Sequence, residues 1–390
     1  MDIEALGRSP IGQIVPITGT DGRTGEHYQS FAYLADPLPE SVQLWSETWT
    51  IIARAEAALA RLDQAARQVP SPELLRDPAI RREAQSTSAL EGTFAPFVTV
   101  LESDLEDRGQ LSLAVLEILN YVAAAQLAFE WVEERPLTSG LMGELQRTLV
   151  QGTAGEHSDA GGLRDREVFI GPPDAPISDA RFVPAPHGDQ LKGAFEQWVT
   201  WVSRQDLPLP PVVQAGLAHY QFETLHPYSD GNGRIGRLAI VLQLMRLGVL
   251  RYPILVVSPW FEARRTEYQD ALLALSTSGN WSHWLAFFAT GVLDAAETTH
   301  HRIEGLLDWQ DDALRRVRES RASGLTERLA ADLIGLPILR AGQVAQRYGV
   351  THQAAMNALR RLEGLGLLAA EAGRGRVTFR APEIVELLGQ

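Results

Sequence analysis

The stretch His226-Pro227-Tyr228-Ser229-Asp230-Gly231-Asn232-Gly233-Arg234-Ile235-Gly236-Arg237 decides how the rest of the chain is read. It is a loop with alternating glycines that runs straight into an apolar helix carrying Ile235, Leu238, Ala239, Leu242 and Met245. Glycines at 231 and 233 let successive backbone N–H groups turn toward one point and form an anion nest. The helix N-terminus adds its partial positive charge to that nest. Arg234 and Arg237, three residues apart, add two full charges on neighbouring parts of the first turns. Asp230 offers a hard oxygen for Mg2+, which a polyphosphate normally brings with it. His226 is the group here that takes a proton near neutral pH. Together these suit nucleophilic attack on a nucleotide phosphate. Piece by piece the signals are weak: Asp-Gly-Asn-Gly alone is an ordinary turn, and a lone histidine is usually structural. An EF-hand fails, because Arg234 and Ile235 stand where an acidic ligand and a glycine are required. A zinc site from His219, Glu223 and His226 is conceivable, although the metalloprotease spacing is absent. The ordered set of twelve favours function.

The surrounding chain has 390 residues, 45% apolar and 22% charged, a globular profile that implies two or three domains. No apolar run reaches 18 residues without a charge; Leu238 to Val257 is broken by Arg246 and Arg251, so no membrane span is expected. The start shows neither a basic region nor an apolar one of the kind that directs export. The lack of cysteine excludes disulfides, thiolate metal sites and cysteine nucleophiles, and fits a cytoplasmic protein. A net charge of −14 excludes a nucleic-acid coat, although the segment from Ile338 to Gln390 carries seven arginines against four glutamates.

The periodicity predicts a mostly α protein. Residues 1 to 40 read as an irregular arm. Trp45, Trp49, Ile52, Ala55, Leu59, Leu62 and Ala66 recur at helical steps up to Pro70 and Pro72. Asp77 as N-cap and Pro78 at the first helical position would open a second helix that stops at Gly92. Further helices are expected over Leu111 to Phe129, Ser139 to Leu149, Gln190 to Ser203, Pro211 to Thr224, Asn232 to Leu247, Arg264 to Leu275 and Trp281 to Asp294. A separate charged helix should follow over Ala296 to Ala322. The long polar loop Gly152 to Gly188 holds Glu167-Val168-Phe169-Ile170, which reads as a short exposed strand. The division expected is an N-terminal helical region over 1–110, a core over 111–295, a helical linker over 296–324 and a final module over 325–390.

The twelve-residue stretch resembles the signature of the Fic family, His-Pro-Phe-x-Asp-Gly-Asn-Gly-Arg-x-x-Arg, with Tyr228 in place of the usual Phe. The flanks His219 to Leu225, Gly162-Leu163-Arg164, Val168 to Gly171, Phe182-Val183-Pro184 and Gly279-Asn280-Trp281 are similar too, so the resemblance covers roughly residues 80 to 295. It implies a helical Fic-type core with a short β-hairpin flap over about 164–185, and transfer of AMP from ATP to a hydroxyl side chain of a target protein. By the resemblance His226 would be the general base and Asp230 would hold Mg2+. Gly231, Asn232 and Gly233 would form the anion hole, and Arg234 and Arg237 would hold the β- and γ-phosphates. Gly233 stands where the phosphorylating branch of the family has lysine. Arg264 stands where many relatives have an asparagine against the adenine. The resemblance allows a homodimer.

Glu91 ends the second helix, eleven residues after Ile80 and about 20° from it around an ideal helix, on the face of Ala84 and Thr87. A carboxylate on a packing face at a helix C-terminus violates two local rules, which suggests a task, although a glutamate snorkelling to water is the ordinary alternative. Thr87-x-x-x-Glu91-Gly92 resembles the family's inhibitory motif, over a helix of about 78–92, in which the glutamate pairs with the second motif arginine, here Arg237. In some relatives that glutamate also serves AMP removal. Val168, Phe169 and Ile170 would pair with an extended target segment.

Near the C-terminus, Ala341 to Tyr348, Gly349-Val350 and a helix capped by Thr351 and reaching Leu362 suggest a helix-turn-helix, and strands over Leu367 to Ala372 and Arg376 to Ala381 a wing. Gln353, Asn357 and Arg360 would face a DNA major groove, and Arg374 or Arg376 phosphates; a structural or protein-binding module fits equally. Two functions follow: a self-inhibited protein AMP-transferase, or a nucleotide-sensing, DNA-binding transcriptional regulator.

Overall fold

A computed structural model describes residues 1–21, 25–132, 135–172, 176–322, 324–373 and 376–389. The chain is mostly helical with two small antiparallel sheets. Its helices are α1 (Ile3–Gly7), α2 (Ser46–Gln68), α3 (Glu73–Leu90), α4 (Phe97–Glu102), α5 (Leu113–Val132), α6 (Ser139–Val150), α7 (Asp189–Val202) and α8 (Pro211–Leu225). They continue with α9 (Asn232–Arg246), α10 (Ser258–Ala263), α11 (Arg265–Ser278), α12 (Trp281–Glu319), α13 (Leu325–Asp332), α14 (Ala341–Tyr348), α15 (His352–Gly364) and α16 (Pro382–Gly389). The strands are β1 (Gly12–Thr20), β2 (His27–Ala35), β3 (Ile338–Arg340), β4 (Ala369–Gly373) and β5 (Arg376–Arg380), the last three in the order β3-β5-β4.

The core is built on α8 and α9, which are buried almost all round. Phe195, Trp198 and Phe222 stack in its centre, and Trp284 and Phe288 of α12 close it beside His219. α5 is long and apolar enough to cross a membrane by length and composition, but half of that stretch is buried in the molecule, and its Glu117 accepts a hydrogen bond from Thr93. It is a core helix on that packing.

Five expectations are corrected. The arm is ordered: β1 and β2 form a hairpin in which Pro16 faces Phe31, and Tyr33 N donates to Val183 O at 2.9 Å. α3 begins at Glu73, so Pro78 lies inside it rather than at its start. Pro78 has no N–H for the Leu74 carbonyl, and Gly335 packs so closely on that carbonyl that a Cβ there would collide with it. The two helices expected between 281 and 322 are one, because Val292, Ala296, Thr299, Ile303, Leu306, Gln310, Ala313 and Val317 keep one buried stripe across the point where charge begins. Trp45 and Trp49 are exposed, as α2 buries the face of Ile52, Ala55, Leu59 and Leu62 instead. The strand over Glu167 to Ile170 reduces to one antiparallel bridge, Ile170 to Phe182, and these residues are half-buried rather than exposed. Phe169 and Ile170 pack on the N-terminal hairpin, which covers the segment.

The end of the chain packs against α3 and α4. Arg340 donates to Leu105 O and pairs with Glu106, Gln343 donates to Asp104 O, and Arg380 pairs with Glu102. Arg374 lies outside the described residues.

Candidate active site

α8 ends because His226 takes the left-handed conformation, φ 49°, ψ 59°, while its N–H still reaches Phe222 O. A non-glycine residue in that region needs outside support. Arg164 supplies it. Its side chain is wholly buried and donates from Nε to His226 O at 2.8 Å and from the Nη atoms to Leu225, Ala185 and Arg166 carbonyls. One guanidinium thereby satisfies the carbonyls of Leu225 and His226 at the C-terminus of α8. Burial lowers its pKa to about 10, with Glu167 opposing the shift. Sequence reading placed Arg164 only within the resemblance. Its role depends on contacts 61 and 62 residues away, which no local pattern reports.

The loop from His226 is closed by Asn232, whose Oδ1 accepts from Tyr228 N at 2.8 Å and whose Nδ2 donates to Tyr228 O at 2.7 Å. Tyr228 is the anchor beneath, packed against Phe195 and Phe222. Gly231 enters α9 with φ 85°, the positive value that favours glycine. Its N–H is held by Asp230 Oδ1 at 2.5 Å. Asp230 is 41% exposed, and Arg234 is almost fully buried between Asp230 at 3.4 Å and Glu117 at 4.0 Å.

Arg237, only 2% exposed, points from α9 toward the end of α3. Its Nε donates to Thr87 Oγ1 at 2.7 Å, and its Nη2 to Thr87 O at 3.2 Å and Glu91 Oε1 at 2.5 Å. The helix end that carries Glu91 is fixed by Gly92 at φ 96°, with Gly92 N bonded to Ala89 O and Thr93 N to Ser88 O. That double closure is the Schellman arrangement. Burial pushes the Glu91 carboxyl up, but Arg237, with Arg234 and His226 behind it, outweighs this and the net shift is downward. Gly233 leaves room for the pair: a Cβ there would collide with Glu91 Oε1 and sit 3.0 Å from the Arg237 guanidinium.

These groups open on a cavity of about 230 Å³. His226, Gly233, Arg237, Glu91 and Glu223 line one side, Ile170, Arg181 and Phe182 another, and Tyr268, Gln269 and Leu272 of α11 a third. Arg181 pairs with Asp270, tying the 170–182 segment to α11. Arg264 lies over Trp260 at 4.6 Å and does not line the cavity. His226 has its pKa lowered to about 4, by burial first and by Arg164 second, so it is neutral at pH 7 and able to accept a proton.

Among the described residues no cluster of three or more His, Asp or Glu side chains is placed to hold a metal. Asp230 does not line the cavity, but its partly exposed carboxylate, engaged through Oδ1 by Gly231 N and Arg234, is the hard oxygen of this loop that fits a cation taking its other ligands from phosphate and water. The zinc reading fails at His219, where Nδ1 donates to Gly236 O at 3.1 Å and Nε2 accepts from Tyr268 Oη at 2.7 Å.

Of the predicted site residues, Glu91, Ile170, His226, Gly233 and Arg237 line the cavity; Thr87 joins them through Arg237, and Asp230, Gly231, Asn232, Arg234, Gly92, Val168 and Phe169 do not line it. On α15, Gln353 and Asn357 bond each other and Arg360 pairs with Glu363 while lying over Phe379.

Residues 49–130 match the Fic/DOC family N-terminal region and residues 136–244 the Fic/DOC family. Protein adenylyltransferase Fic of Aedes aegypti is 32% identical over 133 residues, 34% of this chain and 23% of that protein. The protein of the same name from Drosophila melanogaster is 28% identical over 179 residues, 44% of this chain and 33% of that one. The chain thus spans about a quarter to a third of the length of these curated relatives. A Fic family protein from Desulfovibrio desulfuricans G20 aligns over 87% of this chain and 97% of its own, with a TM-score of 0.57 and 18% identity. A fragment of Fic-1 from C. elegans aligns over 67% of this chain and 73% of its own, with a TM-score of 0.50 and 21% identity. These structures share the fold, and the matched regions carry both the loop of residues 226–237 and the helix that ends at Glu91. The chain belongs to the Fic family.

Proposed function

We propose that the chain is a self-inhibited protein adenylyltransferase that moves AMP from ATP to a hydroxyl side chain of a target protein. The observation that carries this reading is the Arg237–Glu91 pair, set in the same cavity as a neutral His226. The acceptor oxygen attacks the α-phosphorus, its proton passes to His226, and the bond to the β-phosphate breaks so that pyrophosphate leaves. The N–H groups at Asn232 and Gly233 would face the phosphates, joined by that of Gly231 once Asp230 turns to a cation, and Arg234 and Arg237 would hold the β- and γ-phosphates. Asp230 would hold Mg2+, which neutralises phosphate charge and orients the leaving group. While Glu91 holds Arg237, the γ-phosphate lacks that ligand and ATP is not aligned for attack.

In this reading residues 1–110 carry the inhibitory helix and 111–295 the catalytic core. Residues 296–324 link it to a winged helix-turn-helix over 325–390, with α12 running unbroken from core to linker. A target segment would dock near Ile170, the residue of 168–170 that reaches the cavity. The cysteine-free chain suits the cytoplasm. For the DNA-binding alternative, Gln353 and Asn357 of α15 bond each other and Arg360 pairs with Glu363, exposed contacts that DNA binding would have to exchange.

ATP labelled at the α- or the γ-phosphate, supplied with Mg2+ and a cell lysate, tests the reaction. Protein labelling from the α-label alone is expected. Labelling from the γ-label would replace AMP transfer by phosphorylation, and no labelling from either would remove the enzymatic reading.

A further inference from the structure

Glu223 is a carboxyl that the proposed reaction leaves without a task. It stands on the last turn of α8, one turn before His226, and lines the cavity. Its Oε1 is buried and has no hydrogen-bond partner among the described residues. The α9 backbone passes so close that a Cβ on Gly236 would collide with that oxygen. Arg237 follows Gly236 directly, and its positive charge acts on Glu223, as does the negative charge of Glu91. The guanidinium thus feels Glu91, Glu223 and Glu83, the last held by Ser258, and of these it hydrogen-bonds Glu91. An orphaned acceptor beside a cation is costly unless a second arrangement uses it.

We propose that Glu223 is a positioning residue that takes over Arg237 when Glu91 withdraws, keeping the guanidinium aimed at the nucleotide phosphates. The inference rests on reading Arg237 as a phosphate ligand. With Glu91 gone, the buried guanidinium loses its hydrogen-bonded carboxyl; of the other carboxyls whose charge acts on it, Glu83 is held by Ser258 N and Oγ, whereas Glu223 has an oxygen without a partner among the described residues. Loss of the Glu91 charge removes the repulsion that Glu223 feels, so Glu223 ionises as it pairs. The other titratable and charged groups facing this cluster are Tyr268 of α11, His219 of α8 and His226 at its end, Glu83 of α3, Tyr121 of α5 and Arg234 of α9. In the resting protein, burial first and Glu91 second raise the Glu223 pKa to about 7, against the pull of Arg237. Glu223 then carries a proton for much of the time and does not compete with Glu91.

Calorimetric binding of ATP·Mg2+ and of AMP to the full chain tests this in Glu91→Gly, Glu91→Gly/Glu223→Gln, Glu91→Gly/Glu223→Asp, Glu91→Gly/Arg237→Ala and the Glu91→Gly/Glu223→Gln/Arg237→Ala triple variant. Glu223→Gln should weaken ATP binding about tenfold, as expected for a lost charge-assisted contact. AMP, which lacks the β- and γ-phosphates, should bind unchanged. The loss should vanish when Arg237 is already alanine. In Glu91→Gly, where Glu223 no longer feels the Glu91 charge, ATP affinity should hold at pH 7 and fall as the pH drops below it and Glu223 takes up its proton, more steeply than in the Glu223→Gln variant. Glu223→Asp should restore that dependence. Equal weakening of ATP and AMP, or ATP binding unchanged by Glu223→Gln, overturns the inference while leaving the function standing. Unchanged ATP binding in Glu91→Gly/Arg237→Ala overturns the phosphate-ligand reading and the inference with it.

Discussion

Replacing Tyr228 by phenylalanine should stabilise the protein. The ring is 1% exposed and packed between Phe195 and Phe222, with centroids 6.1 and 6.4 Å away. Its hydroxyl is buried and finds no partner among the described residues, and burial alone raises its pKa. Stranding such a group costs about 1–3 kcal/mol. Removing it leaves a void of about 10 Å³, which at ~24 cal/mol per Å³ takes back ~0.2 kcal/mol. The net expectation is a gain of about 1 kcal/mol or more. The backbone bonds between Tyr228 and Asn232 do not involve the ring, so the phosphate-facing loop should keep its shape. Urea denaturation followed by tryptophan fluorescence gives the difference, because the slope should be unchanged and only the midpoint should move. A loss of 1 kcal/mol or more would refute the reasoning, since it would mean that the hydroxyl has a partner such as an ordered water.

Other outcomes follow from the same contacts. Arg164→Ala, which strips the α8 C-terminus of its guanidinium, should cost about 3–5 kcal/mol; a denaturation midpoint within error of wild type would show that His226 does not depend on it. His219 has its pKa lowered to about 3 by burial, then by Arg237, against an ordinary 6.5. The unfolded chain therefore binds the extra proton between these values. The stability His219 provides is complete above pH 6.5 and falls by ~1.4 kcal/mol per unit as pH drops toward 3. His219→Asn should make that slope shallower by about one proton, and an unchanged slope would count against a neutral His219. Gly335→Ala should loosen the C-terminal segment from α3, read as faster amide exchange in α3 and in residues 335–348, because the Leu74 carbonyl has no space for a Cβ.

Much of this site is legible in the residues because it is local. Glycine spacing, the onset of the apolar helix and the charges at 230, 234 and 237 all fall within twelve positions, although the partners of Arg234 and Arg237 at Glu117, Thr87 and Glu91 lie far away in the chain. The Glu91 end of α3 is legible for the same reason: Gly92 marks the stop, and the helical step from Ile80 and Ala84 to Thr87 marks the buried face. What lies outside local reach is long-range. β1 and β2 carry Pro16, Gly12 and Gly19, which mask their alternation, and they are held by the segment around Val183. The true start of α3 is hidden because a proline one turn in is tolerated where its missing donor faces Gly335. Arg164 reads as one more arginine in a polar loop until the fold brings the α8 carbonyls to it. The continuity of α12 is a different case. Its buried stripe is present in the residues, and the rise in charge after Ala296 obscures it.

The central claim is that Glu91 restrains Arg237 in an enzyme that uses His226 as its base. The most direct test measures the rate of α-label incorporation into protein for wild type, Glu91→Gly and Glu91→Gly/His226→Ala under identical ATP and Mg2+. Freeing Arg237 to bind phosphate should raise the Glu91→Gly rate at least about tenfold over wild type, and the His226→Ala change should abolish it. Equal rates in wild type and Glu91→Gly would contradict the restraint. Undiminished labelling in the double variant would contradict the assignment of the base.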